Sequence, residues 1–131
     1  MKSIIKLTIF ILINLVFNFL IFIQYLMSTH HSGGEVGMVP MVILLASIIS
    51  FLVSLIIISV INHCRSMNIL KSVLIYNFVY FIVMMIFGLN PADGNGFYEN
   101  ADLFTVFIAF ISMILTLILS KVFENYYNNI S

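Results

Sequence analysis

The residues with the widest chemical range lie outside the apolar stretches of this chain. His30, His31 and Glu35 fall in one polar connection, and Asp93, Glu99 and Asp102 in another. Imidazole nitrogen and carboxylate oxygen make a ligand set for zinc or a similar ion. Two adjacent histidines do not easily face one ion, and further ligands would have to come across from the second connection. His30, His31 and Glu35 are therefore weak metal candidates. Solvated loop residues are the simpler reading, and no metal or other cofactor is expected. The histidines titrate near neutral pH, which also suits a sensor of acidification. Asp93-Gly94-Asn95 begins like a calcium loop, but Phe97 and Tyr98 break the pattern. The segment reads as a turn.

His63 and Cys64 are adjacent. A Cys–His nucleophilic pair needs mutual geometry and a third, orienting group. His63 and Arg65 read instead as positive charge complementing the C-terminal end of a helix dipole. Cys64 is the single cysteine, so there is no internal disulfide and no C-x-x-C pair. No phosphate-binding loop, metal-binding helix motif or nucleophile elbow is present. No catalytic residue is assigned, and an enzyme is not expected.

The elements that would have to position any chemistry are membrane-spanning. The chain of 131 residues is 63% hydrophobic and 8% charged. A soluble domain carries about 25% charged residues, and so few charges do not cover the surface of a water-soluble fold this small. Crossing the hydrocarbon core takes roughly 20 helical residues. Four apolar runs of that length stand at 3–27, 38–62, 68–89 and 101–123. The expected fold is all-α, an integral membrane four-helix bundle forming one polytopic domain over 1–131. The first run is too long for a signal-peptide core and lacks an A-x-A-like site, so it reads as an uncleaved span.

Every basic residue falls on one side of this pattern. Lys2 and Lys6 precede the first run, Arg65 and Lys71 join the second to the third, and Lys121 closes the fourth. The positive-inside rule places both termini and the middle connection in the cytoplasm. Abundant Ile against scarce Ala suggests an AT-rich coding sequence and a bacterial or phage-like source, hence a bacterial inner membrane, crossed several times. Zero net charge and scattered basic residues give no hint of nucleic acid. Gly33, Gly34 and Gly37 break the helix before Pro40 begins the second span. Asn100 is placed to cap the fourth span, and the polar tail after Phe123 is expected to fray.

No ionisable residue falls deep within a span, which argues against a proton-coupled pump. Small residues form stripes at helical spacing instead: Ala46, Ser50 and Ser54 in the second span, and Thr105, Ala109, Ser112, Thr116 and Ser120 in the fourth. Such faces let helix backbones approach closely, within one bundle or against another chain. Asn14 and Asn18 share one face of the first span, and Tyr76, Asn77 and Tyr80 form a polar patch in the inner half of the third. Amides in hydrocarbon act as interhelical glue or line a hydrated cavity.

Two functions follow as expectations. The first is a non-enzymatic protein of the lipid bilayer that binds another membrane protein, or itself, through helix–helix contacts. An immunity or defence protein and an accessory subunit of a membrane complex are of this kind. Ser50→Leu or Ser112→Leu is then expected to break partner binding while the protein still inserts. The second is a small homo-oligomeric channel or transporter, with Asn14, Asn18, Asn77 and Tyr80 nearest the path.

Overall fold

A computed structural model describes the backbone of residues 2–28, 34–87 and 99–130, and the side chains of 4–24, 40–87 and 107–130. The described residues form four helices and no strand. These are α1 (Lys2–Ser28), α2 (Gly34–Cys64), α3 (Ile69–Ile86) and α4 (Glu99–Ile130). Within them Ile4–Gln24, Pro40–Cys64, Ile69–Ile86 and Phe107–Ile130 are each long and apolar enough to cross a membrane. The protein is an all-helical, multi-pass membrane protein.

The helices differ from the spans expected from sequence mainly at their ends. α2 already begins at Gly34, so Gly37 lies inside it, and Pro40 sits in its interior rather than in its first turn. Proline has no N–H, so the carbonyl of Val36 lacks its usual helical donor there. α4 begins at Glu99, which places Asn100 within the helix rather than at its cap. The tail does not fray: α4 continues to Ile130. Residues 121–130 contain no Gly or Pro, and extending an existing helix costs far less than nucleating one.

Helix length then sets what projects. α3 has 18 residues, about 27 Å at 1.5 Å per residue, close to the thickness of the hydrocarbon core. α4 has 32 residues, about 48 Å by the same rise. Its last ten residues, 121–130, are all exposed.

Packing inverts the pattern of a soluble helix. On α1 the outward stripe is Ile5, Ile9, Leu12, Val16 and Leu20, whereas the buried face holds Leu7, Ile11, Asn14, Asn18 and Phe22. Lipid solvates aliphatic side chains as well as a protein interior does, so burial is assigned by close packing and by the few polar groups. α1 and α3 each approach the other three helices closely, but α2 and α4 do not approach each other closely among the described residues. The bundle is therefore a rhombus with α1 and α3 across its short diagonal.

Two apolar clusters fill opposite ends of the core. One joins Phe22 of α1, Ile43 and Ala46 of α2, Val79, Tyr80, Val83 and Met84 of α3, and Ile108 of α4. The other joins Leu7 and Ile11 of α1, Ile58 of α2, Met67 before α3, and Tyr76 of α3. α1 and α4 run antiparallel. Phe10 meets Phe123 edge to face, with centroids 6.4 Å apart, and Lys6 Nζ lies 3.2 Å from Glu124 Oε1.

Candidate functional site

Between the two apolar clusters lies a polar layer. Each helix contributes to it from residues that the sequence places one or two turns apart. α1 supplies Asn14 and Asn18, α2 supplies Ser47, Ser50 and Ser54, α3 supplies Tyr76, Asn77 and Tyr80, and α4 supplies Ser112 and Thr116. Asn14, Ser47, Ser50, Ser54, Tyr76, Ser112 and Thr116 are all 0% exposed. In α3 (Ile69–Ile86) Tyr76 and Asn77 lie just before the midpoint of the helix.

Most of the hydroxyls serve their own helix. Ser47 Oγ donates to the Ile43 carbonyl at 2.7 Å, Ser50 Oγ to Ala46 at 2.6 Å, and Ser112 Oγ to Ile108 at 2.7 Å. Ser54 Oγ donates to Phe51 at 2.9 Å and Ser120 Oγ to Leu117 at 2.8 Å. This back-bonding lets a hydroxyl enter an apolar core with its hydrogen satisfied. It also leaves these serines small and closed, which suits close helix approach more than ligand binding.

The contact that crosses helices is at Thr116. Its Oγ1 lies 2.7 Å from the Ser112 carbonyl and 3.1 Å from Asn14 Oδ1. One hydroxyl hydrogen serves only one of these acceptors. Turning the Asn14 amide over resolves the conflict, since Nδ2 then donates to Thr116 Oγ1 while the hydroxyl donates to Ser112. Amide orientation is assigned from the network in this way. Either way, one end of the Asn14 amide stays unpaired.

Four buried polar atoms of the layer have no hydrogen-bond partner: Asn14 Nδ2, Asn18 Nδ2, Tyr76 Oη and Asn77 Oδ1. The other end of the Asn77 amide is used, with Nδ2 donating to the Val73 carbonyl at 2.9 Å. Tyr76 and Tyr80 stack, with centroids 6.2 Å apart and planes inclined by 19°. Ser47 lies beside both rings. The Ser47 hydrogen is committed to Ile43, so only its lone pairs remain to receive a phenol. A buried polar group without a partner costs on the order of 1–3 kcal/mol, which makes this layer the least satisfied part of the core.

Both small-residue stripes face into this bundle. Ala46, Ser50 and Ser54 on α2, and Ala109, Ser112, Thr116 and Ser120 on α4, are buried. They sit toward α1 and α3, whereas α2 and α4 do not approach each other closely among the described residues. Thr105 belongs to α4, but its side chain lies outside the described residues. Ser47 belongs to the same buried face of α2 and was missed in the four-residue stripe. The spacing 47, 50, 54 follows the three-and-four rhythm of one helix face and would have revealed it. Ser72 is a second buried hydroxyl outside the expected set, donating to the Asn68 carbonyl at 3.1 Å.

The loop candidates do not join this site. His30 and His31 lie outside the described residues, as does the side chain of Glu35. Asp93 lies outside them too, and Glu99 and Asp102 are placed only as backbone of α4. Among the described residues no group of three or more His, Cys, Asp or Glu side chains is placed to hold a metal ion. His63 sits in the last turn of α2, Arg65 N–H closes that end on the Ile61 carbonyl at 2.7 Å, and Cys64 is exposed. No family model, curated protein or solved structure matches this chain.

Proposed function

We propose that this chain is a small non-enzymatic protein of a bacterial inner membrane, with both termini cytoplasmic, that acts by helix contact with another membrane protein. An immunity or defence protein, or an accessory subunit of a membrane complex, acts in this way. The observation that carries this reading is the buried polar layer. The described polar groups at mid-span turn inward, and apolar clusters flank them on both sides. Reactive groups at depth would be needed for chemistry or proton transfer, and the layer offers amides, serines, a threonine and phenols. The orientation rests on Lys6, Arg65, Lys71 and Lys121, which the fold gathers at one end of the bundle.

The two small-residue faces are occupied within the protein, so a partner has to meet outward apolar faces, and those of α2 and α4 are the ones we assign to it. These carry Leu45, Leu52 and Ile56 on α2, and Ile111, Ile114 and Leu115 on α4. A photo-crosslinking side chain at Leu52 or Leu115, activated in the native membrane, tests this. The expected product is one heteromeric adduct of fixed composition. Adducts to lipid alone at both positions defeat the reading.

The four unpartnered polar atoms at mid-bundle favour one second reading, a small homo-oligomeric channel or transporter whose layer becomes hydrated in another state. Reconstituted liposomes would then pass ions or small solutes, and Asn14→Leu with Asn18→Leu would change the flux. Tight liposomes across a broad solute panel remove it.

A further inference from the structure

At the basic end of the bundle, a groove of about 680 Å³ lies between the start of α3 and α4, beside the first turns of α1. Its walls are apolar, with Leu70 on α3 facing Ile114, Leu117 and Ile118 on α4. Its rim carries Lys6, Lys121, Glu124 and Asn68. Lys6 is engaged by Glu124 at 3.2 Å, whereas Lys121 forms no ion pair among the described residues. Arg65 and Lys71 are exposed at the same end, so cations outnumber the carboxylate there. The field of α3 has the same sign. Its first turn holds no acidic residue, the Asn68 side chain makes no cap, and its first closing amide is Ser72 N–H on Asn68 at 3.0 Å. The N–H groups before it add partial positive charge beside the lysines.

We propose that this groove binds one anionic glycerophospholipid, with its phosphate at Lys121 and an acyl chain along Leu70, Ile114 and Ile118. A basic rim above an apolar interhelical slot at the membrane surface has the two properties such a lipid requires, and basic pockets between membrane helices hold anionic headgroups by this means. A zwitterionic lipid brings its own cation toward the lysines and gains less. Free phosphate uses the rim but gains nothing from the apolar wall.

Native mass spectrometry of the purified full chain, offered equal amounts of phosphatidylglycerol and phosphatidylcholine, tests the proposal. The expected result is one retained phosphatidylglycerol in preference to phosphatidylcholine. Lys121→Gln should lower that retention about fivefold, one cation's share of attraction to an anionic surface, and Lys121→Arg should restore it. Glu124→Gln should raise it by removing the carboxylate that competes for Lys6. Millimolar inorganic phosphate should not displace the lipid. Lys121 is exposed, and unchanged helix content by circular dichroism confirms that the variant folds. Equal retention of the two lipids, indifference to Lys121→Gln in the folded variant, or displacement by phosphate overturns it.

Discussion

The flanking helices α2 and α4 and the central helices α1 and α3 solve the same packing problem with opposite materials. α2 and α4 bring small faces whose hydroxyls are closed onto their own backbones. α1 and α3 bring amides and phenols, four atoms of which find no partner. Among the described residues the small faces do not approach each other closely, because the rhombus holds α2 and α4 apart. Each instead receives the bulk of the central pair. The contrast teaches that a small-residue stripe in a membrane helix marks close approach without saying to what. In this protein the near neighbour belongs to the same chain, so the stripe supplies stability and the unpaired amides carry the unspent polarity.

The largest effect should come from filling a small face. Ser50→Leu adds bulk at a position with no exposure, and overpacking of this kind costs typically 1–3 kcal/mol. Denaturation in detergent should show the loss, together with misfolding in the membrane. This replaces the expectation that such a variant would lose only a partner. Ser50→Ala should be nearly silent, since its hydroxyl bonds only to its own helix. A fully stable Ser50→Leu protein would mean that α2 packs elsewhere.

Next in size is the bond that joins the two kinds of helix. Thr116→Val keeps the shape and removes the contact to Asn14. Interhelical polar contacts in membranes are worth about 0.6–2 kcal/mol, and the unfolding midpoint should fall accordingly. No change would show that Asn14 finds another donor or acceptor.

Removing an unpartnered group should act in the opposite direction. Tyr76→Phe deletes a buried hydroxyl without a partner and should leave stability unchanged or raise it by about 1 kcal/mol. A loss of that size would show that the hydroxyl is bonded in the membrane, with Ser47 beside it the first group to replace.

The smallest effect belongs to the surface. Lys6 and Glu124 are half-exposed, and pairs of this kind are worth under about 1 kcal/mol. Glu124→Gln should lower stability slightly at low ionic strength and not at all in high salt, where surface charges are screened. A loss that persists in high salt would mean that the pair is shielded from water.

Much of the architecture could be read from residue order. Apolar runs of spanning length stand out because the bilayer demands about 20 residues per crossing, and all four helices lie where those runs fall. The buried faces of α2 and α4 were legible because three-and-four spacing repeats on one side of a helix. Ser47 falls outside a stripe that takes every fourth residue alone. Helix ends were less legible: Pro40 and Gly37 suggested a start later than Gly34, and the Asn- and Tyr-rich tail suggested fraying where α4 continues. Local propensity there is weak, and an established helix outweighs it.

Residue order specifies the helical membrane class, the number of spans, the gathering of basic residues in alternate connections, and which side chains on each helix are too small or too polar to face lipid. These follow from the bilayer's thickness and its intolerance of unpaired polar groups, which act on each segment separately. Tertiary packing sets the rest: the two small faces stand apart among the described residues, α1 and α3 share the diagonal, Asn14 reaches Thr116 while Asn18 and Tyr76 keep unpaired atoms, and α3 and α4 part around a basic groove. Each of these depends on which face of one helix meets which face of another. Lipid solvates every apolar face equally well, so the choice rests on shape and on a few hydrogen bonds between residues far apart in the chain.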